Sequence, residues 1–224
     1  YLERFDGLDT SRIEIVHAPE VVEMDESPSV ALRKKKRSSI AVGIALQAEG
    51  KADAFISAGN TGAVMAASLR GLGRIGGIVR PGICSVFPTT GSSCVVLDVG
   101  ANVDSKPIHL LQFALMGSIY SEQVLGTSNP RVGLLSIGEE PSKGDELTVA
   151  TNKLLAASPL NFVGNVEGGG IFEGEADVVV CDGFVGNVVL KLSERVLNLL
   201  VGHLKNQIKA SPLAAMGFLM LKGV

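Results

Sequence analysis

Four short polar turns hold the residue types that can bind an anion and stabilise negative charge developing during a reaction. The first is Ser57-Ala58-Gly59-Asn60-Thr61-Gly62, between an apolar run and a helical pattern. Glycines let a backbone turn tightly and approach a ligand. A helix start offers free N–H groups and the positive end of the dipole. Gly59, Asn60, Thr61 and Gly62 are therefore expected to cradle a phosphate-like anion. The competing reading is an ordinary tight turn with a capping residue, and the turn alone does not separate the two. The second turn, Asp98-Val99-Gly100-Ala101-Asn102-Val103-Asp104, follows the apolar run Cys94–Val99. A carboxylate closing such a run has to be solvated, paired or hydrogen-bonded. Asn102 and Asp104 are either simple turn formers or orienting groups of a site, and the density of polar groups favours the site.

The third turn, Gly138 to Glu146, places the cation Lys143 between two acidic pairs near a helix start. Lys143 can neutralise phosphate or a developing oxyanion; a surface lysine in a charged loop is the plainer alternative. The fourth, Asp182-Gly183-Phe184-Val185-Gly186-Asn187, puts Asn187 at a helix start, as a cap or as an amide donor aimed into a cleft. Gly71-Leu72-Gly73-Arg74-Ile75-Gly76 matches the spacing of a dinucleotide fingerprint. It follows a helical pattern and no strand, so it lacks the context that such a fingerprint needs.

The elements that must position these turns alternate. Strand patterns run over Ile13–His17, Ala54–Ser57, Cys94–Val99, Val132–Ile137, Asn161–Gly164 and Asp177–Cys181. Helical patterns run over Val30–Ala48, Ala63–Leu69, Pro107–Val124, Asp145–Ala157 and Asn187–Lys209, with Pro107 at a first helical position. Nearly continuous apolar strands alternating with helices predict an α/β fold with a mostly parallel sheet and helices on both faces. Ligands of such sheets sit at the carboxyl ends of the strands, where the turns fall.

Composition agrees. The chain has 224 residues, 46% of them hydrophobic, with 27 Gly and no Trp. A net charge of -3 gives no general reason to expect nucleic-acid binding. Cys84, Cys94 and Cys181 lack metal-ligand spacing and read as reduced thiols of a cytoplasmic protein, so no metal site is expected. No apolar run reaches the length of a membrane span, and no signal peptide opens the chain. With no initiator Met and an end in mid-pattern, both natural termini are expected to lie outside the sequence. The run Arg33-Lys34-Lys35-Lys36-Arg37 is a solvated helix end or a docking point for an acidic partner. Residues 195–224 are basic and apolar, broken by Pro212, with Leu213–Val224 strongly apolar. They are expected to form an amphipathic helical segment for membrane contact or dimerisation, appended to a catalytic core at 1–194.

Five stretches together resemble the phosphate acyltransferase (PlsX) family: ADAFISAGNTGAVMA, LDVGANVDSKPIHLLQFALMGSIYSEQVLG, NPRVGLLSIGEEPSKGDEL, NFVGNVEGGGIFEG and ADVVVCDGFVGNVVLK. They occur in the family's order, from about Ile13 to Lys191. The family's Met-Gly-Gly-Asp opening and its C-terminal Gly-rich segments are absent. The resemblance implies a three-layer α/β/α fold similar to isopropylmalate dehydrogenases and phosphotransacetylases. It implies a homodimer at the cytoplasmic membrane surface, and transfer of a fatty acyl group from acyl carrier protein to inorganic phosphate without a cofactor. Phosphate is already a nucleophile and a thiolate leaves well, so positioning and oxyanion stabilisation suffice. Lys143 and Asn187 are then the expected catalytic residues, with Gly59–Gly62, Asn102 and Asp104 binding and orienting. The acyl chain needs an apolar groove, for which Leu111–Met116 and the C-terminal helices are candidates. Three other readings stay open: an acyl-CoA phosphotransacetylase, a dehydrogenase on the same fold, and a membrane-surface scaffold.

Overall fold

The computed structural model describes residues 9–210. They divide into two compact units, the boundary falling between Gly76 and Gly77.

The second unit is built on five strands: β1 (Cys84–Pro88), β2 (Ser93–Leu97), β3 (Val132–Leu135), β4 (Phe162–Val166) and β5 (Val178–Val180). Their order across the sheet is β1-β2-β5-β3-β4. The β2–β5, β5–β3 and β3–β4 pairs are parallel; only β1 runs antiparallel, against β2. Alternation along the strands divides the core. Val95, Leu97, Val132, Leu134, Val178 and Val180 meet Leu110 and Phe113 of α4 (Pro107–Gln123) and Leu155 of α5 (Glu146–Ala156). Cys94, Val96, Val166 and Val179 point the other way, towards Ile171 of α6 (Gly168–Glu173) and Val189 and Leu190 of α7 (Gly183–Ala210). Both faces are covered, which is why these strands read as continuous apolar runs. The expected three-layer α/β/α architecture is therefore present.

β1 and α6 were not expected. β1 is an edge strand joined to β2 through Thr89–Ser92, where Thr89 Oγ1 accepts from Ser92 N at 2.9 Å. Three consecutive glycines disguise α6, but Gly174 closes it in the left-handed conformation at φ 76°. At the opposite end of the sheet from the polar turns, Arg131 spans the amino ends of β3 and β5. Its Nε and Nη2 donate to Asp177 Oδ2 and Oδ1 at 3.1 and 3.0 Å. Burial pushes the Asp177 carboxyl up, but the Arg131 guanidinium outweighs it and holds the group below the usual carboxylate range.

The first unit is helical: α1 (Pro28–Lys34), α2 (Ser39–Ala48) and α3 (Thr61–Gly71) close over Val22, Ala31, Ile40, Ile44, Ala63 and Ala67. The single helix expected over Val30–Ala48 is broken. Ser38 caps α2, its hydroxyl accepting from Ala41 N at 3.3 Å. Within the basic run, Lys35 Nζ turns inward to Glu26 Oε2 at 2.6 Å and the Val21 carbonyl at 2.7 Å, while Lys34 and Lys36 stay exposed. Ile13–His17 and Ala54–Ser57, expected as strands, have no ladder partner among the described residues. An apolar run states a capacity for burial, but a strand also requires a neighbour to bond with. α3 ends at Gly71, so the GxGxxG spacing follows a helix as expected.

Candidate functional site

Because β2, β5, β3 and β4 are parallel neighbours, their carboxyl ends share one edge of the sheet. The turns after β2, β5 and β3 stand there side by side, with the β5 turn in the middle.

The β2 turn is organised by Asp98, whose side chain is fully buried. Oδ1 accepts from Ile83 N, Gly100 N and Ala101 N at 3.0, 3.2 and 3.0 Å. Oδ2 accepts from Asn102 N and Asn102 Nδ2 at 2.7 and 2.9 Å. Five donors thus satisfy the carboxylate that closes an apolar strand. Asn102 also donates to the Pro81 carbonyl at 2.8 Å, and its own carbonyl accepts from Gly183 N at 2.8 Å. Asn102 is a structural hub that joins the β2 turn to the β5 turn. Asp104, two residues on, is exposed. α4 then starts with Pro107, and His109 Nδ1 accepts from Lys106 N at 3.2 Å. Burial, helped by the charges of Arg80 and Lys106, keeps the His109 imidazole below its ordinary pKa, in keeping with this neutral acceptor role.

α7 begins at Gly183, four residues earlier than expected. Its cap is Asp182, whose Oδ1 accepts from Phe184 N and Val185 N at 2.8 and 3.1 Å. Asn187 is therefore not the cap; it lies in the helix's second turn and is exposed. Its Cγ and Oδ1 lie 3.5 Å from the point a Cβ on Gly100 would occupy, and Gly100 has φ 137°, where only glycine is at ease. The glycines that open α7 have a packing reason. A Cβ on Gly183 would come within 2.7 Å of Asp98 Oδ2 and Asn102 O, and one on Gly186 would collide with the Asp98 carbonyl oxygen.

Lys143 lies on the β3 turn with its side chain exposed. Ser136 Oγ donates to its carbonyl at 3.2 Å, and Lys143 N bonds to Glu140 O at 2.9 Å. From β4, Asn165 Nδ2 donates to Glu140 O at 2.8 Å, while Asn165 Oδ1 accepts from Asn152 Nδ2 of α5 at 2.9 Å. This buried amide pair braces the turn that carries Lys143. It gave no signal in the sequence, because each asparagine reads as an ordinary residue of its own element. Between the β3 and β5 turns opens a cavity of about 470 Å³, lined mainly by Leu110, Leu135, Ile137, Leu147, Cys181 and Val185.

Asn102, Asp104, Lys143 and Asn187 thus share one edge of the second unit, whereas Gly59–Gly62 belongs to the first. There the turn opens α3, with Asn60 as cap. Asn60 Oδ1 accepts from Ala63 N at 3.0 Å, and Nδ2 donates to the carbonyls of Glu23, Met24 and Glu26 at 3.3, 3.2 and 3.0 Å. The amide is committed to holding the turn. Thr61 and Gly62 are exposed, and as the first residues of the helix their N–H groups have no intrahelical acceptor. Gly62 also has a packing reason, since its Cβ would come within 2.7 Å of Pro28.

The cysteines offer no activated nucleophile. Burial pushes the Cys84 and Cys181 thiols up and the Cys94 thiol up to about 12. Among the described residues no group of His, Cys, Asp and Glu stands close enough to hold a metal ion.

Residues 2–224 match the profile of a family described as fatty acid synthesis protein. Phosphate acyltransferase from Desulfitobacterium hafniense (strain DSM 10664 / DCB-2) is 59% identical over 213 residues, covering 95% of this chain and 64% of the relative. Phosphate acyltransferase from Heliobacterium modesticaldum is 57% identical over 210 residues, covering 94% and 63%. The chain therefore spans somewhat less than two thirds of these curated relatives. Among solved structures, a phosphotransacetylase (EutD) from Staphylococcus aureus superposes with a TM-score of 0.57 at 19% identity, covering 85% of this chain and 69% of that one. That likeness concerns the fold alone and agrees with the three layers described. The chain belongs to the fatty acid synthesis protein family, in which its matched relatives carry the name phosphate acyltransferase.

Proposed function

We propose that the protein transfers a fatty acyl group from an acyl carrier protein thioester to inorganic phosphate, giving an acyl phosphate for phospholipid synthesis. One observation carries the reading. The shared edge of the sheet presents a cation, Lys143, and an amide, Asn187, while burial holds the one cysteine beside it, Cys181, as a thiol. Such an edge suits a reaction whose nucleophile arrives with the substrate. Phosphate attacks the thioester carbonyl, the carbonyl oxygen gains charge, and the thiolate of the carrier leaves. Lys143 neutralises phosphate or that oxygen, and Asn187 donates to the oxygen. Asn102 holds the β2 turn in place, and exposed Asp104 orients the reacting groups. In the first unit, the Thr61 and Gly62 amides are suited to an anion such as phosphate, with Gly59 and Asn60 shaping their turn.

The exposed apolar residues of α7, among them Leu192, Leu199, Leu200 and Leu204, support a second part of the proposal. The helix pairs with another copy of the chain, and the dimer works at the cytoplasmic membrane surface. Among the described residues no helix is long and apolar enough to cross a membrane. The expected break at Pro212 and the apolar stretch Leu213–Val224 lie outside the described residues. Exposed Lys34 and Lys36 are available to the acidic carrier.

The test is a phosphate-dependent assay with carrier-bound and CoA-bound thioesters, following acyl phosphate. Carrier thioesters are expected to be preferred. Lys143→Ala is expected to lower turnover about 10²–10³-fold, the scale of losing one oxyanion partner, with the melting temperature unchanged. Normal turnover by that variant would sink the assignment of Lys143. A preference for CoA thioesters would sink that of the donor.

A further inference from the structure

The cavity between the β3 and β5 turns has no role in the phosphate chemistry, and its lining explains why. It carries two carboxylates, Asp145 and Asp182, and no cation. Each carboxylate caps a helix start. Asp145 Oδ1 accepts from Thr148 N and Oγ1 at 2.8 and 2.7 Å, and Asp182 Oδ1 accepts from the first amides of α7. The N-termini of α5 and α7 are thereby closed to an incoming anion. Ser136 Oγ is spent on the Lys143 carbonyl. What remains is apolar wall from Leu110, Leu135, Ile137, Leu147 and Val185. The volume, about 470 Å³, is that of a small-molecule site. Its lining includes Gly144, the residue after Lys143, and Val185, two residues before Asn187.

Resting on the proposed acyl transfer, we propose that this cavity binds the acyl tail, with Val185 in its wall setting the chain length accepted. The thioester carbonyl then lies on the Gly144 side, beside the Lys143 turn, while the methylenes run along the apolar wall towards Val185. Phosphate is refused by the two carboxylates and stays outside. Within the expected stretch Leu111–Met116, Leu111 and Met116 pack against the core, and it is Leu110 of the same helix that lines the cavity.

Ile137 is 82% exposed and Val185 39%, so both positions tolerate substitution. The sequence contains no Trp, so Ile137→Trp places a single reporter in the lining. Titration with 1-decanol, which has a tail but neither thioester nor charge, is expected to give a saturable blue shift of its emission. Adding Val185→Phe is expected to abolish the shift, and inorganic phosphate is expected to leave it unaltered. In the transfer assay, Val185→Phe should lower the ratio of kcat/KM for dodecanoyl over butyryl thioester. Each excluded methylene contributes about fourfold, so blocking two lowers the ratio about fifteenfold. Val185→Ala, which opens the same wall, should raise it. Absence of a shift, competition by phosphate, or an unchanged ratio in both Val185 variants overturns the proposal. If Ile137→Trp binds decanol but the wild-type protein turns over no thioester, the transfer reading falls while the apolar site stands.

Discussion

Asp98→Asn tests the reasoning most directly, because it changes one atom in a fully counted site. The carboxylate accepts five hydrogen bonds, three at Oδ1 and two at Oδ2. An asparagine must place its NH₂ where one oxygen was. In the better orientation the NH₂ replaces Oδ2, loses the two bonds from Asn102, and points a donor at two donors. In the other orientation three bonds are lost. Hydrogen bonds to a charged group contribute about 1.5–3 kcal/mol each, so the loss of two predicts a destabilisation of about 3–6 kcal/mol. Domains are stable by only about 5–15 kcal/mol in all, so the variant sits near the limit of folding.

Urea denaturation measures this. With a slope of about 2 kcal/mol per molar, a loss of 4 kcal/mol moves the midpoint down by about 2 M. The companion variant is Asp104→Asn, in the same turn but exposed, for which a change within about 0.5 kcal/mol is expected. A midpoint for Asp98→Asn within 1 kcal/mol of wild type would show that the five short contacts do not hold the turn. An equal loss in both variants would show that the effect is charge and not geometry.

Three further outcomes are expected. Gly186→Ala drives a methyl group into the Asp98 carbonyl oxygen, where backbone cannot yield, and should destabilise by about 3 kcal/mol, the upper end of overpacking; a thermal melt indistinguishable from wild type would contradict the packing described. Asn60→Ala removes the cap of α3 and the ties to residues 23–26, costing about 2 kcal/mol; hydrogen exchange should rise in α3 first, and unchanged protection there would refute the role. His109 has its pKa lowered from 6.5 by burial, so the unfolded chain binds its proton more readily. Stability from this group is complete above about 6.5 and falls as pH drops towards the lowered value; His109→Gln should show a smaller loss of Tm between pH 7 and pH 5 than wild type, and equal losses would sink the linkage.

Much of the sheet was legible in the sequence because both of its faces are covered. Cys94–Val99, Val132–Ile137 and Asp177–Cys181 read as strands and overlap β2, β3 and β5, each of which stops short of the run's carboxyl end, where the polar turn begins. β1 was missed because an edge strand ending in Pro88 buries little: Phe87 is its one buried residue. α6 was hidden by Gly168–Gly170, and the start of α7 by Gly183 and Gly186, whose meaning depends on what packs against them. The run Val30–Ala48 concealed a break because Ser38, a weak signal in sequence, acts as a strong cap in place. At the site, residue type pointed to Asn187 and its location at the shared edge, but its neighbour Asp182 is the cap. Asn152 and Asn165 were illegible, since a buried amide pair is defined only by two elements meeting.

The support of the edge and the groups it displays are different residues, and that division argues for a site. At the amino ends of the strands, Arg131 and Asp177 tie β3 to β5 through a two-pronged contact. At the carboxyl ends, each turn has a brace: Asp98 for the β2 turn, Asp182 for the β5 turn, and Asn165 of β4 for the β3 turn. Every brace is buried or half-buried and bonds to backbone, with Asn102 and Asn152 as side-chain partners of Asp98 and Asn165. Asp104, Lys143 and Asn187 lie beyond the braces, exposed, and none of the three side chains is engaged in a hydrogen bond or ion pair among the described residues. A turn needed only to connect a strand to a helix would require neither such bracing nor such idle polar groups. Rigid backbone beneath uncommitted polar side chains is what a reaction driven by positioning demands, because a donor helps only when it is already in place as charge develops.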